Sequence, residues 1–178
     1  MKKNSFKTVL TSAIIFCLPT FGFSQADNQS VAYQAKENVE AFAAFNTNNA
    51  TETSAANVNA KALNDFTKKF NGVRNAKWYE ASGGFIAGFT ENGIETKVIY
   101  DHKGSWHSML RTYGEDKLAF DVRDLVKSKY YDYSIQVVYE ITHADNLTYI
   151  LKIEDSKKIK TLRVSGEEME VIEDYVRG

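Results

Sequence analysis

The chain has 178 residues, with 22 lysines and arginines, 23 aspartates and glutamates and a formal net charge of −1 at pH 7. This length suffices for one domain with a sizeable core or for two small ones. The charge balance argues against a general nucleic-acid binder, which needs a basic field to release counterions from phosphates, and against a polybasic membrane anchor.

The first 24 residues have the pattern of a secretory signal peptide. Lysines at positions 2, 3 and 7 precede an apolar stretch over residues 9–21, and Gly22 and Ser24 supply small residues before a cleavage point. The apolar stretch is too short to span a bilayer, and nothing after residue 24 is apolar for long enough. We therefore predict a periplasmic or secreted protein, residues 25–178, with 19 basic and 23 acidic residues and a net charge of −4.

The one cysteine, Cys17, lies inside this signal sequence. Phe16 precedes it where a lipoprotein signal needs a small residue, so we predict no lipid anchor. The mature chain then has no cysteine, and its core must hold the fold without disulfides.

Residues 25–56 form a low-complexity segment rich in Ala, Asn, Gln and Thr. Helical spacing separates the apolar residues Val31, Ala35, Val39 and Phe42. One interpretation is therefore that residues 30–45 form a single amphipathic helix. The polar composition favours the other interpretation, a disordered exported spacer.

A helix and a four-stranded meander are predicted over residues 57–115. Asn57 or Asn59 can cap a helix that ends near Phe70, and Gly72 can close it in the left-handed conformation. Asn92-Gly93 is a preferred hairpin turn and pairs Phe85 with Tyr100. Gly104 closes the next turn and pairs Tyr100 with Trp106. Strict alternation then puts the predicted core face at Phe85, Phe89, Val98, Tyr100, Trp106 and Leu110.

The same order of elements is predicted again over residues 116–178. A helix over residues 117–130 precedes strands at 134–142, 147–154, 159–164 and 168–176. We therefore expect an α+β fold, a tandem repeat of one helix followed by a four-stranded antiparallel meander, with the helices packed on one sheet face.

These elements resemble the exported, β-lactamase-inhibitor-like, PepSY-like proteins common in Bacteroidetes. The resemblance rests on the Trp-Tyr strand at 77–79, on Gly84-Phe85, on the two turns and on an acidic last strand. It implies two tandem units, which could share one long curved sheet whose open face binds a protein. The inhibitors of β-lactamase in this family use disulfides, which the mature chain cannot form, so inhibition of that enzyme is not expected.

The histidines and serines that could take part in catalysis do not form a recognised catalytic pattern. His102, His107 and His143 lack metal-site spacing, and Ser105 and Ser108 are expected to point away from His107. We predict a protein without a cofactor or a metal that is not an enzyme, and a hydrolase built on His107 is the enzyme alternative. The acidic cluster near the C-terminus is interpreted as a charged sheet edge that blocks aggregation.

The face opposite the predicted core is the candidate binding site. It mixes aromatic, aliphatic and basic residues of the types enriched in binding interfaces. We predict that it engages an unknown protein partner in the cell envelope, with inhibition as one outcome, through Tyr79, Ile86, Ile99, His107, Met109, Arg111 and Tyr113. One alternative is that the chain itself or a second copy covers this face. Another is a carrier of a small apolar ligand held between sheet and helices.

Overall fold

The computed structural model of the protein describes residues 50–177, which contain two α-helices and nine β-strands. The predicted signal peptide and the possible helix at 30–45 lie outside the described residues. The helices are α1 (Ala60–Lys69) and α2 (Phe120–Lys129), each preceded by a 3₁₀ turn, Ala55–Asn57 and Glu115–Lys117. The strands are β1 (Thr51–Thr53), β2 (Lys77–Ala81), β3 (Gly84–Glu91), β4 (Ile94–Asp101), β5 (Trp106–Tyr113), β6 (Ser134–His143), β7 (Asn146–Glu154), β8 (Lys158–Ser165) and β9 (Glu168–Val176).

All nine strands form one antiparallel sheet in chain order, from β1 to β9. The prediction of a tandem repeat of one helix followed by a four-stranded meander is therefore wrong. The strands do not separate into two meanders, because β5 pairs with β6 over six residues, Ser108–Tyr113 against Val138–His143. This pairing satisfies backbone groups that two separate sheets would leave open at their edges.

A short strand lies inside the segment that the composition indicates as a spacer. Thr51, Glu52 and Thr53 of β1 pair with Glu80, Tyr79 and Trp78 of β2, in that order. Two threonines suit a strand, but three residues are too few for the sequence pattern to reveal one.

The two helices pack on the same face of the sheet. Asn59 caps α1 as predicted, and its side chain accepts a hydrogen bond from the backbone N–H of Lys61 at 2.9 Å. The helix ends at Lys69, and Gly72 does not adopt the left-handed conformation predicted for it. Neither α-helix of the described residues has the length and apolarity needed to cross a membrane.

Aromatic rings fill the space between α1 and the sheet. Phe66 lies with its ring centre 5.3 Å from Trp78 and 5.9 Å from Phe89, and Phe70 lies 5.4 Å from Phe89. A second cluster, of mostly aliphatic residues, lies between α2 and strands β5 to β8. Here Val126, Leu151 and Leu162 are fully buried. These two clusters form the core between the helices and the sheet.

A β-bulge in β5 changes which side chains share a face. Tyr100 pairs with Trp106 as predicted, but Ile99 pairs with Ser108 and Val98 with Met109. His107 is therefore the extra residue, and alternation along β5 shifts by one after it. After the bulge, Met109, Arg111 and Tyr113 point to the helices. Leu110, predicted in the core, points the other way.

We call the face opposite the helices the open face. Because paired residues share a face, the register traces rows of side chains across it. One row runs Glu95, Thr112, Tyr139, Ile150, Arg163 and Glu170 from β4 to β9, and the next runs Lys97, Leu110, Ile141 and Thr148.

Candidate functional site

A groove of about 620 Å³ lies on the open face beside β2 and β3. Tyr79 and Ile86 line it together with Ala50, Gly88, Lys77 and Lys97. Gly88 lies below the Tyr79 ring, and a Cβ at this position would be 3.6 Å from Tyr79 Cε2. The glycine thus lets the ring lie close to the strand.

The floor of this first groove is apolar and buried. Ile86 and Ile99 are buried and pack with Ala81, while Ala50 and Tyr79 contact the same cluster. The rim is charged: Lys97 Nζ lies 3.2 Å from Glu95 Oε1, and Lys77 Nζ lies 3.5 Å from Glu52 Oε2. An apolar floor within a polar rim is the usual anatomy of a binding surface.

A second groove, of about 330 Å³, lies on the open face of β6 to β9. It is lined by Tyr139, Ile150, Lys152, Ile159, Thr161, Glu173 and Tyr175. Tyr139 is 38% exposed and Tyr175 is 55% exposed, which is high for aromatic side chains on a sheet face. Thr161 Oγ1 donates a hydrogen bond of 2.7 Å to Glu173 Oε2 and fixes one wall.

Sequence reasoning missed this second groove. Val137, Tyr139 and Ile141 alternate along β6, a pattern that is also typical of core residues. The structure places all three on the open face, and Tyr139 is exposed while Ile141 is buried. Alternation alone reveals that residues share a face but does not reveal what covers that face.

The structure does not bring the seven predicted binding residues onto one face. Tyr79, Ile86 and Ile99 lie on the open face, next to the first groove or beneath it. Met109, Arg111 and Tyr113 follow the bulge and lie on the helix face. His107 is the bulged residue between the two sets.

Arg111 and Tyr113 are both held by Glu140 of the neighbouring strand. Arg111 Nη1 lies 2.7 Å from Glu140 Oε1, and the Tyr113 hydroxyl donates to Glu140 Oε2. Burial and the Glu140 carboxylate raise the pKa of Tyr113 far above its ordinary value. Tyr113 therefore stays a neutral hydrogen-bond donor, and the cluster joins β5 to β6.

His107 lies beside His143 and Ser108. Its Nδ1 is 3.1 Å from Ser108 Oγ, its backbone oxygen is 3.1 Å from His143 Nδ1, and the two imidazole rings lie 4.8 Å apart. Burial and the charge of His143 lower the pKa of His107.

The bulge thus unites a serine and a histidine that strict alternation would separate. Ser108 is nevertheless fully buried, so a substrate cannot reach its hydroxyl in this arrangement. Among residues 50–177, no group of three or more histidines, aspartates or glutamates is arranged to hold a metal ion.

No protein-family model matches the chain, and no curated protein matches it in sequence. Solved structures do match. A DUF2874 family protein from Bacteroides ovatus is 16% identical, and the match covers 67% of this chain and 87% of that chain at a TM-score of 0.54. A BLIP-like protein from Bacteroides fragilis is 18% identical, with 66% and 86% covered and a TM-score of 0.51.

A candidate periplasmic protein from Bacteroides eggerthii also matches, at 13% identity, with 67% and 88% covered and a TM-score of 0.52. These likenesses show a common fold. They confirm the resemblance to the β-lactamase-inhibitor-like proteins of Bacteroidetes, which the strand and turn pattern indicated.

Proposed function

We propose that this protein is an exported, non-enzymatic binding module that engages a protein of the cell envelope through the open face of its sheet. Three observations support the proposal. The first 24 residues have the pattern of a signal peptide, the fold is BLIP-like, and the open face carries two grooves with aromatic walls.

The second groove is the observation that most strongly supports this proposal. Tyr139 and Tyr175 project from a sheet, and a tyrosine side chain has only two χ angles to order when it binds a partner. Tyrosine is one of the residue types enriched among the few side chains that supply most of the binding energy of an interface. Ile150 and Ile159 add apolar surface beside the two tyrosines. Exposed apolar patches on a folded protein commonly mark such an interface.

The first groove offers a second contact region. Tyr79 is half-buried and forms its wall, with Ile86 and Ile99 below. Direct contacts of His107, Met109, Arg111 and Tyr113 with a partner remain predictions. For Arg111 and Tyr113, the existing bonds to Glu140 favour a supporting role instead.

The proposal is tested by capturing partners from an envelope extract of the native host on immobilised residues 25–178. The test variant is Tyr139→Ala/Tyr175→Ala, and Tyr79→Ala probes the first groove. The matched control is Phe120→Ala/Tyr131→Ala, which removes two aromatic side chains that are 80% and 82% exposed away from both grooves.

We expect a protein that the native chain and the control both hold and that the test variant loses. With that protein purified, the Kd should rise by about thirtyfold or more for the double variant, the effect of losing an interface anchor. A protein held equally by all variants would place the binding surface elsewhere.

The alternative of a carrier for a small apolar ligand finds no support in the two grooves. Both lie on the open face, whereas the carrier hypothesis needs space between sheet and helices. Beneath α1 that space is filled by Phe66, Phe70, Phe89 and Trp78.

A further inference from the structure

We propose that the chain's own N-terminal segment, residues 25–49, docks across the centre of the open face. The proposal does not depend on the partner-binding function and concerns the centre of the face, from Ile99 beneath the first groove to Thr148 on β7. Three observations carry it: the burial of the central side chains, the point at which the chain reaches the face, and the length and pattern of the preceding segment.

The centre of the open face is buried, although the helices pack on the other side. Leu110 is 7% exposed, and its partner on β6, Ile141, is 3% exposed. The buried set on this face is Ile99, Ser108, Leu110, Ile141 and Thr148. By contrast, Tyr139, on the same strand as Ile141, and Tyr175, on the edge strand β9, are exposed, so the burial does not extend over the whole face.

Side chains on one face of a sheet become this buried when another segment covers that face or when the sheet curves strongly toward it. The described helices do not provide the cover, because α1 and α2 both pack on the opposite face. The proposal assigns the cover to a segment outside residues 50–177. Burial by sheet curvature alone is the competing explanation, and the experiments below separate the two.

The chain reaches the open face at the right place. Ala50, the first described residue, packs against the cluster of Ala81, Ile86 and Ile99. The segment that precedes Ala50 is therefore joined to the described chain at the open face. Ile99 is itself the nearest member of the buried central set.

The length and pattern of the segment fit the distance to be covered. From Ile99 on β4 to Thr148 on β7 is three strand spacings, or about 14 Å. Residues 30–45, if helical, would extend about 24 Å, which is enough to cross this region. Val31, Ala35, Val39 and Phe42 would supply an apolar stripe to the central side chains.

The test measures thiol accessibility in residues 25–178, which contain no native cysteine. Ser108→Cys places a thiol of nearly the same size at the buried centre. Thr96→Cys is the matched control, because Thr96 is also a buried polar residue but lies on the helix face. Each is labelled with a thiol reagent in the native background and with Val39→Asp/Phe42→Asp added.

We expect the aspartates to speed labelling at position 108 by about tenfold or more and to leave position 96 unchanged, because labelling of a buried thiol follows local uncovering. An unchanged rate at position 108 would overturn the proposal and assign the burial to sheet curvature. Faster labelling at both positions would indicate general destabilisation and would equally count against a local cover.

A second measurement does not depend on a buried substitution. Phe42→Cys is combined with Thr112→Cys, which is half-buried on the open face, or with Lys68→Cys, which is exposed on α1. Oxidation should form an intramolecular disulfide in the first pair and not in the second. Equal yields in both pairs would show that the segment has no preferred position and would overturn the proposal.

Discussion

At the scale of single residues, Glu140 satisfies two polar side chains of the neighbouring strand at once. It accepts from Arg111 on one oxygen and from Tyr113 on the other, and its side chain is only 13% exposed. A carboxylate so shielded is stable because both partners are donors, and one of them carries a positive charge. The cluster also lies where β5 meets β6.

We expect Glu140→Ala to lower the free energy of unfolding by about 2–3 kcal/mol, because it leaves a partly buried arginine and a tyrosine without an acceptor. Arg111 keeps some contact with water, which places the loss below that of a fully buried pair. Urea denaturation measures the change. Glu95→Ala, which breaks an exposed pair with Lys97, is the control and should cost less than about 0.5 kcal/mol.

His107 should give the protein a pH-dependent stability. Because burial and His143 lower its folded pKa, with Asp101 opposing, the unfolded chain binds the proton more tightly. The free energy of unfolding should therefore fall as the pH drops below the ordinary histidine value of 6.5, and this contribution should level off below the lowered pKa.

Denaturation at a series of pH values tests this expectation. His107→Gln should flatten the fall in stability between about pH 7 and pH 5, with His102→Gln as the control for loss of an exposed histidine. An equally steep fall in the His107 variant would show that other groups cause it.

At the scale of elements, the β4–β5 turn fixes the start of α1. Asn59 caps the helix through its side-chain oxygen and donates from Nδ2 to the backbone oxygen of His102 at 3.1 Å. Gly104 of this turn has φ +75°, and a Cβ there would lie 2.5 Å from Asn59 Oδ1. Glycine is therefore required both for the turn and for contact with the helix cap.

We expect Gly104→Ala to destabilise the protein by about 2–4 kcal/mol, the sum of a left-handed alanine and displacement of the cap. Gly166→Ala is the matched control. Gly166 has φ +58° but open space around it, so only the conformational cost of about 1 kcal/mol should appear. Thermal or urea unfolding of both variants gives the difference, and equal losses would show that Asn59 is not displaced.

How far the sequence predicts these elements depends on whether a local signal exists. Asn92-Gly93 fixes the β3–β4 register, and the predicted pairing of Phe85 with Tyr100 is confirmed. The bulge at His107 carries no glycine or other mark, so strict alternation placed Arg111 and Tyr113 on the wrong face. Their partner Glu140 is 29 residues away from Arg111, a separation that no local pattern predicts.

At the scale of the whole molecule, the pairing of β5 with β6 makes one sheet from the segments 57–115 and 116–178. The division of the chain at this boundary remains a prediction. From the continuous sheet we expect that the two segments do not unfold independently. Their separation would expose a long strand edge and break the Arg111–Glu140 pair.

The two tryptophans make this cooperativity measurable. Trp78 and Trp106 both lie before residue 115, so their fluorescence reports the first segment. Leu162→Ala removes a fully buried side chain of β8 and should cost about 2–5 kcal/mol. In a cooperative molecule, the urea midpoint seen by tryptophan fluorescence should fall together with the midpoint seen by far-UV circular dichroism.

Ser156→Ala, an exposed change in the β7–β8 turn, is the control and should leave both midpoints in place. A fluorescence midpoint unmoved by Leu162→Ala, beside a lowered circular-dichroism midpoint, would mean that residues 57–115 fold without the second segment. The β5–β6 pairing would then be a contact between two independent units. Coincident shifts would instead make the nine-stranded sheet the folding unit, because a cavity beneath β8 would weaken strands on the far side of the β5–β6 boundary.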